Sequence, residues 1–138
     1  MVNTIDMKDM RYLNLFSKIT RINTRYCFKY NEMIIFAVPK RFVSKAIGIG
    51  GKNIKKIIEI LGKKIKVIAS PENFEDTEQF LRDVVSPVSF KEMQITENEI
   101  IITAGSQYKA ALIGRNKRRL LELQKITRDF FKKDLKII

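Results

Sequence analysis

Gly48, Gly50 and Gly51 stand within four residues, and Lys52, Lys55 and Lys56 follow at once in the stretch SKAIGIGGKNIKKIIEIL. Glycine admits positive φ and carries no Cβ, so the backbone of another molecule can come close to the chain here. A helix starting near Lys52 would aim its first N–H groups and the positive end of its dipole at the same spot. With the lysines, that is chemistry for holding an anion, above all phosphate. The same glycines could serve only as a tight corner between two helices. Two familiar phosphate loops do not fit. A P-loop needs glycine where Ala46 stands and Ser or Thr where Asn53 stands, and a dinucleotide fingerprint starting at Gly48 needs its third glycine at Asn53.

Nothing else in the chain suggests catalysis. Histidine is absent and Cys27 is the single cysteine, so neither an internal disulfide nor a Cys/His zinc site can be assembled. General acid-base work would fall to carboxylates, lysines or Cys27, and no recognisable spacing pairs them. A non-enzyme with no catalytic residue, metal or cofactor is the expectation. No apolar run approaches the roughly 20 residues that span a bilayer, and the start, MVNTIDMKDMRYLNLF, lacks the layout of a signal peptide, so no membrane role and a cytoplasmic location are expected.

The formal charge of +12 over 138 residues, with 45% hydrophobic residues, describes a foldable chain with a polyanionic partner. Its distribution says more. Residues 40–70 carry 9 basic and 1 acidic side chains, residues 71–105 carry 2 and 8, and residues 106–138 carry 10 and 3. Two basic blocks flank an acidic one, which a merely solubilised surface would not require.

The second basic block echoes the first. Ile113-Gly114 lies 66 residues after Ile47-Gly48, and the same offset sets Ile34 to Val38 against Ile100 to Ala104, both β-branched runs that predict strands. Ile65 to Ile68 falls near Leu135 to Ile138 as a further strand pair. Upstream, residues 5–19 (Ile5, Met7, Met10, Leu13, Leu15, Phe16, Ile19) and Phe74 to Val85 have helical spacing, and Ser86-Pro87 ends the latter. Arg25 to Lys29 and Val88 to Thr96 read as short strands. Ile54, Ile57, Ile58 and Leu61 predict the buried stripe of the helix after the glycines. The order is helix, strand, strand, helix, glycine turn, helix, strand, twice: an α+β chain of two units, residues 1–70 and 71–138. A unit of about 65 residues is marginal alone, so the two are expected to pack as one rigid body.

Ile47-Gly48-Ile49-Gly50-Gly51-Lys52-Asn53-Ile54 matches the IGxxGxxI pattern of KH domains, and the element order resembles the type II KH fold (α-β-β-α-α-β). The second unit keeps the frame as Ile113-Gly114-Arg115-Asn116-Lys117-Arg118-Arg119-Leu120, with Lys117 in place of the closing glycine. The tandem, with FLRDVVSPV (Phe80 to Val88) leading into the second unit, resembles the short archaeal NusA-like transcription factors from about residue 5 to 138.

What the resemblance implies is a non-catalytic, single-stranded RNA-binding factor of transcription termination or antitermination, with RNA polymerase or other transcription factors as further partners. A KH-type ribosome-biogenesis or rRNA-binding assembly factor is the alternative. KH loops of this kind clamp a backbone of four nucleotides. By resemblance, Gly48, Ile49, Gly50 and Gly51 meet phosphate, with Lys52, Lys55 and Lys56 adding charge. In the second unit Gly114, Arg115, Asn116, Lys117, Arg118 and Arg119 form the corresponding loop. Ile47, Ile54 and Val67 would floor the groove or simply join the core. Lys117 would either obstruct the close approach that glycine allows or hold the phosphate from the side.

Overall fold

The computed structural model describes residues 7–138. Ile5, counted in the first predicted helix, lies outside them. The chain divides into two compact units that meet at Phe80 and Leu81. Each is mixed α and β.

In the first unit helix α1 (Met7–Thr20) precedes a hairpin of β1 (Tyr26–Tyr30) and β2 (Met33–Val38). Asn31 and Glu32 turn this hairpin with φ of 51° and 61°, the twin positive angles of a two-residue turn matched to the strand twist. A short helix α2 (Val43–Ile47), the glycine loop, helix α3 (Lys52–Leu61) and β3 (Lys64–Ala69) complete the unit. β2 lies at the centre of the sheet, antiparallel to β1 and parallel to β3. A parallel neighbour requires a crossover, and α2 and α3 supply it.

One face of β2 presents Ile34, Phe36 and Val38 to a core that also holds Phe16 of α1, Ala46 of α2 and Ile57 of α3. Phe16 stacks on Phe36 at 4.4 Å between ring centroids. Burying such a side chain contributes about 1.5–3 kcal/mol, so this cluster is what holds α2 and α3 at a set height over the sheet. Val67 is in that core, and Ile47 and Ile54 pack against it, so all three serve packing. Ile58 departs from its predicted place in the stripe. It is 38% exposed because the core lies on the side of α3 that carries Ile57 and Leu61.

The second unit repeats the order. The helix α4 (Thr77–Val85), preceded by a 3-10 turn (Phe74–Asp76) that Asn73 and Asp76 cap, crosses the division between the units. Then come β4 (Glu92–Ile95), β5 (Glu99–Thr103), α5 (Lys109–Ile113), a loop, α6 (Arg118–Phe131) and β6 (Asp134–Ile137). The register is conserved as well as the order. Tyr26 pairs with Ala37 and Glu92 with Thr103, both members shifted by 66, while Met33 pairs with Lys64 and Glu99 with Asp134, where the second member is shifted by 70. The four extra residues lie in α6, which has 14 residues against 10 in α3. Four residues are close to one helical turn, so the insertion lengthens α6 without rotating its buried face. Ile57 and Leu123, at corresponding positions, are both fully buried.

Among the described residues no helix is long and apolar enough to cross a membrane, and no group of three His, Cys, Asp or Glu is placed to hold a metal.

Candidate nucleic-acid interface

The first loop leaves α2 at Gly48, whose φ of 82° and ψ of 165° belong to a region open essentially only to glycine. Space forbids a side chain there too. A Cβ on Gly48 would sit 3.0 Å from the Asn53 backbone nitrogen and 3.1 Å from its Cγ. Gly50 (φ 63°, ψ 20°) and Gly51 (φ 76°, ψ 19°) are left-handed, but a Cβ on Gly50 would meet nothing within 4 Å and one on Gly51 only Lys55 Cε at 3.9 Å. Gly48 is thus demanded by the protein's own packing. At Gly50 and Gly51 glycine eases the backbone and leaves the space outside the loop open.

The second loop follows the same path with other residues. Gly114 has φ 76° and ψ 169°, Asn116 57° and 29°, and Lys117 60° and 22°. The largest difference in φ from the first loop is 76 − 60 = 16°, at Gly51 and Lys117. The bonds correspond: the Gly51 N–H donates to the Gly48 carbonyl at 3.0 Å, the Lys117 N–H to that of Gly114 at 3.2 Å. Lys117 therefore does not break the loop. It holds a glycine's conformation at a cost of about 1–2 kcal/mol for a residue with a Cβ. Asparagine tolerates this region better, which suits Asn116.

The first loop and the start of α3 border an open depression of 460 Å³ lined by Ile49, Gly50, Lys52, Lys55, Lys56 and Glu59. Five of these six come from the residues predicted to meet phosphate; Glu59 is an addition that periodicity alone did not single out. Gly48 and Gly51 shape the loop without lining the depression. Ile49 is 97% exposed, an apolar side chain that the core does not use. Arg115, Asn116, Lys117 and Arg118 are exposed in the second loop, whereas Arg119 is half-buried and its Nη1 donates to the Ala111 carbonyl at 2.9 Å.

A helix's first turn ordinarily favours carboxylates, which complement its positive end. Neither α3 nor α6 has an acidic residue there, and Lys52 and Arg118 open the two helices instead. Each loop therefore gathers positive charge where an anion is favoured, around a backbone turn that the two units share.

Residues 33–82, from β2 to α4 and including the first loop, match the family model described as KH domain. The first unit is thus built around a KH domain. In sequence the chain is similar to two archaeal proteins named NusA. It is 29% identical over 100 residues, 71% of this chain and 56% of the relative, to the probable transcription termination protein NusA of Methanococcus vannielii. It is 28% identical over 88 residues, 64% of this chain and 46% of the relative, to the protein of the same name from Methanocaldococcus jannaschii. The chain spans about half the length of the curated relatives it matches. The crystal structure of APE1850 shares the fold, with a TM-score of 0.70 and 24% identity, covering 97% of this chain and 99% of that one.

Proposed function

We propose that the chain is a non-catalytic, single-stranded RNA-binding protein of the NusA-like transcription termination and antitermination type, built as two tandem type II KH units. The observation that carries the reading is the recurrence of one loop conformation in both basic blocks, at Gly48, Gly50 and Gly51 and again at Gly114, Asn116 and Lys117. Two sets of residues with different intrinsic preferences hold the same unusual backbone. That is expected when the shape itself is used.

The first loop offers phosphate its backbone amides and the open side of Gly50 and Gly51, with Lys52, Lys55 and Lys56 supplying charge. Ile49, exposed beside the depression, gives an unstacked base an apolar surface. The second loop offers side chains, namely Arg115, Asn116, Lys117 and Arg118. Single-stranded RNA suits this arrangement because KH loops engage the backbone of about four nucleotides and leave the bases reachable.

Affinity measured against salt tests the phosphate contact. For one loop engaging about four phosphates, log K should fall against log salt with a slope of about −2 to −3, since each phosphate on a single strand contributes about 0.7. A flat dependence would remove phosphate from the account. Crosslinking in cells tests the transcriptional role: nascent transcripts are expected on the protein, and recovery of pre-rRNA alone would instead point to ribosome assembly.

A further inference from the structure

We infer that Asn53 and Arg119 are positioning residues of the two loops, and that Arg119 is a brace and not a phosphate contact. The inference rests on the reading that these loops meet RNA.

The need for a brace arises where α2 and α5 end. Gly48 N–H donates to the Ser44 carbonyl at 3.0 Å and Gly114 N–H to that of Ala110 at 2.9 Å, the last regular bonds of the two short helices. The next carbonyls belong to Lys45 and Ala111, and a continuing helix would satisfy them from the N–H groups of Ile49 and Arg115. The chain has already turned away at Gly48 and Gly114. Asn53 Nδ2 donates to the Lys45 carbonyl at 3.2 Å, and Arg119 Nη1 to the Ala111 carbonyl at 2.9 Å. Donor and acceptor are both displaced by 66 residues. A side chain from the second position of the following helix thus supplies the bond that the loop interrupts.

The same two residues hem in the turn from its other side. A Cβ on Gly114 would lie 2.9 Å from Arg119 Cγ and 3.0 Å from its backbone nitrogen, as one on Gly48 would lie against Asn53. The helix before the loop and the helix after it are thereby held together across the turn, and the backbone between them is presented in one shape. One brace is an amide and the other a guanidinium. What the position shares is a donor, and charge is incidental to it.

The test uses the 138-residue chain with Arg119→Ala, Arg119→Asn, Arg119→Lys and Asn53→Ala, each checked for folding by circular dichroism. Asparagine at 119 gives the second unit the donor that the first already uses, without charge. Two quantities are read: amide hydrogen exchange of the loop in the free protein, and affinity for a short mixed-sequence single-stranded RNA at several salt concentrations. Arg119→Ala and Asn53→Ala should each speed exchange in their own loop and weaken RNA binding by about five- to tenfold, the effect of losing one hydrogen bond. Arg119→Asn should restore slow exchange and most of the affinity with the salt slope unchanged.

The proposal is overturned if exchange is the same in the alanine variants as in the parent. It is equally overturned if Arg119→Lys keeps full affinity while Arg119→Asn falls as far as Arg119→Ala with a slope shallower by about 0.7, the signature of a phosphate contact. Should the parent chain not bind RNA at all, the RNA reading fails, while the exchange measurement still decides whether the brace exists.

Discussion

Exchanging Gly51 and Lys117 puts the likeness of the two loops to work. Lys117 holds φ 60° and ψ 22°, a left-handed conformation that costs a residue with a Cβ about 1–2 kcal/mol. Lys117→Gly removes that cost but gives the unfolded chain more freedom, which returns about 0.4–1 kcal/mol. Taking a cation from the positive end of α6 adds a few tenths of a kcal/mol. The net expectation is stabilisation by about 1 kcal/mol, or roughly 4–8 °C in the melting temperature of a unit this small. Gly51→Lys should lose about as much and no more, because Lys55 Cε at 3.9 Å is the nearest atom to the new Cβ. Urea denaturation of the two variants and of the double exchange measures this. RNA binding gives the second reading. The loop already has its sister's shape, so Lys117→Gly should weaken binding by about three- to fivefold through the lost charge and lower the salt slope by about 0.7. A Lys117→Gly variant no more stable than the parent would refute the strain argument, and tighter RNA binding would mean that the lysine obstructs.

Other consequences follow from the same geometry. Gly48→Ala and Gly114→Ala should each cost about 2–3 kcal/mol in urea denaturation, because the new Cβ meets backbone nitrogen as well as forbidden dihedrals, whereas Gly50→Ala should cost only about 1 kcal/mol. Lys132, which ends α6 at φ 56° where Gly62 ends α3 at φ 65°, supplies a control. Lys132→Gly should stabilise by about 0.5 kcal/mol, less than Lys117→Gly because a cation suits a helix C-terminus, and should leave RNA affinity unchanged. Lys52→Ala, Lys55→Ala and Lys56→Ala should each flatten the salt slope by about 0.7 without changing which RNA is preferred.

Much of this fold was legible in the chain because its repeat ties local signals together. Ile34 to Val38 is ambiguous alone, but paired with Ile100 to Ala104 at a constant offset it reads as a strand, and β2 and β5 fall on these two runs; their central place in each sheet came from the structure. Three features escaped for physical reasons. Ile58 fits the helical period, yet whether a residue at the margin of an apolar stripe is covered depends on where the neighbouring elements lie, and here it stays partly exposed. The backbone of the second loop could not be read from its residues, since lysine has no preference for the left-handed region; the lost glycine looked like a change of loop and is only a change of occupant. Asn53 and Arg119 share neither size nor charge, so only the offset could have set them side by side. The basic blocks did lead to the lysines that line the depression, because charge so concentrated is a surface property that sequence records directly.

The most direct test of the phosphate-binding reading places negative charge where phosphate should sit. Ile49 is almost wholly exposed and a side chain on Gly50 meets nothing, so the double substitution Ile49→Asp, Gly50→Asp costs the fold about 1 kcal/mol at Gly50 and little at Ile49. With folding verified by circular dichroism, affinity for single-stranded RNA at low salt should drop by at least about tenfold as two carboxylates face the phosphate backbone. Affinity equal to that of the parent chain would contradict the assignment of this loop to RNA.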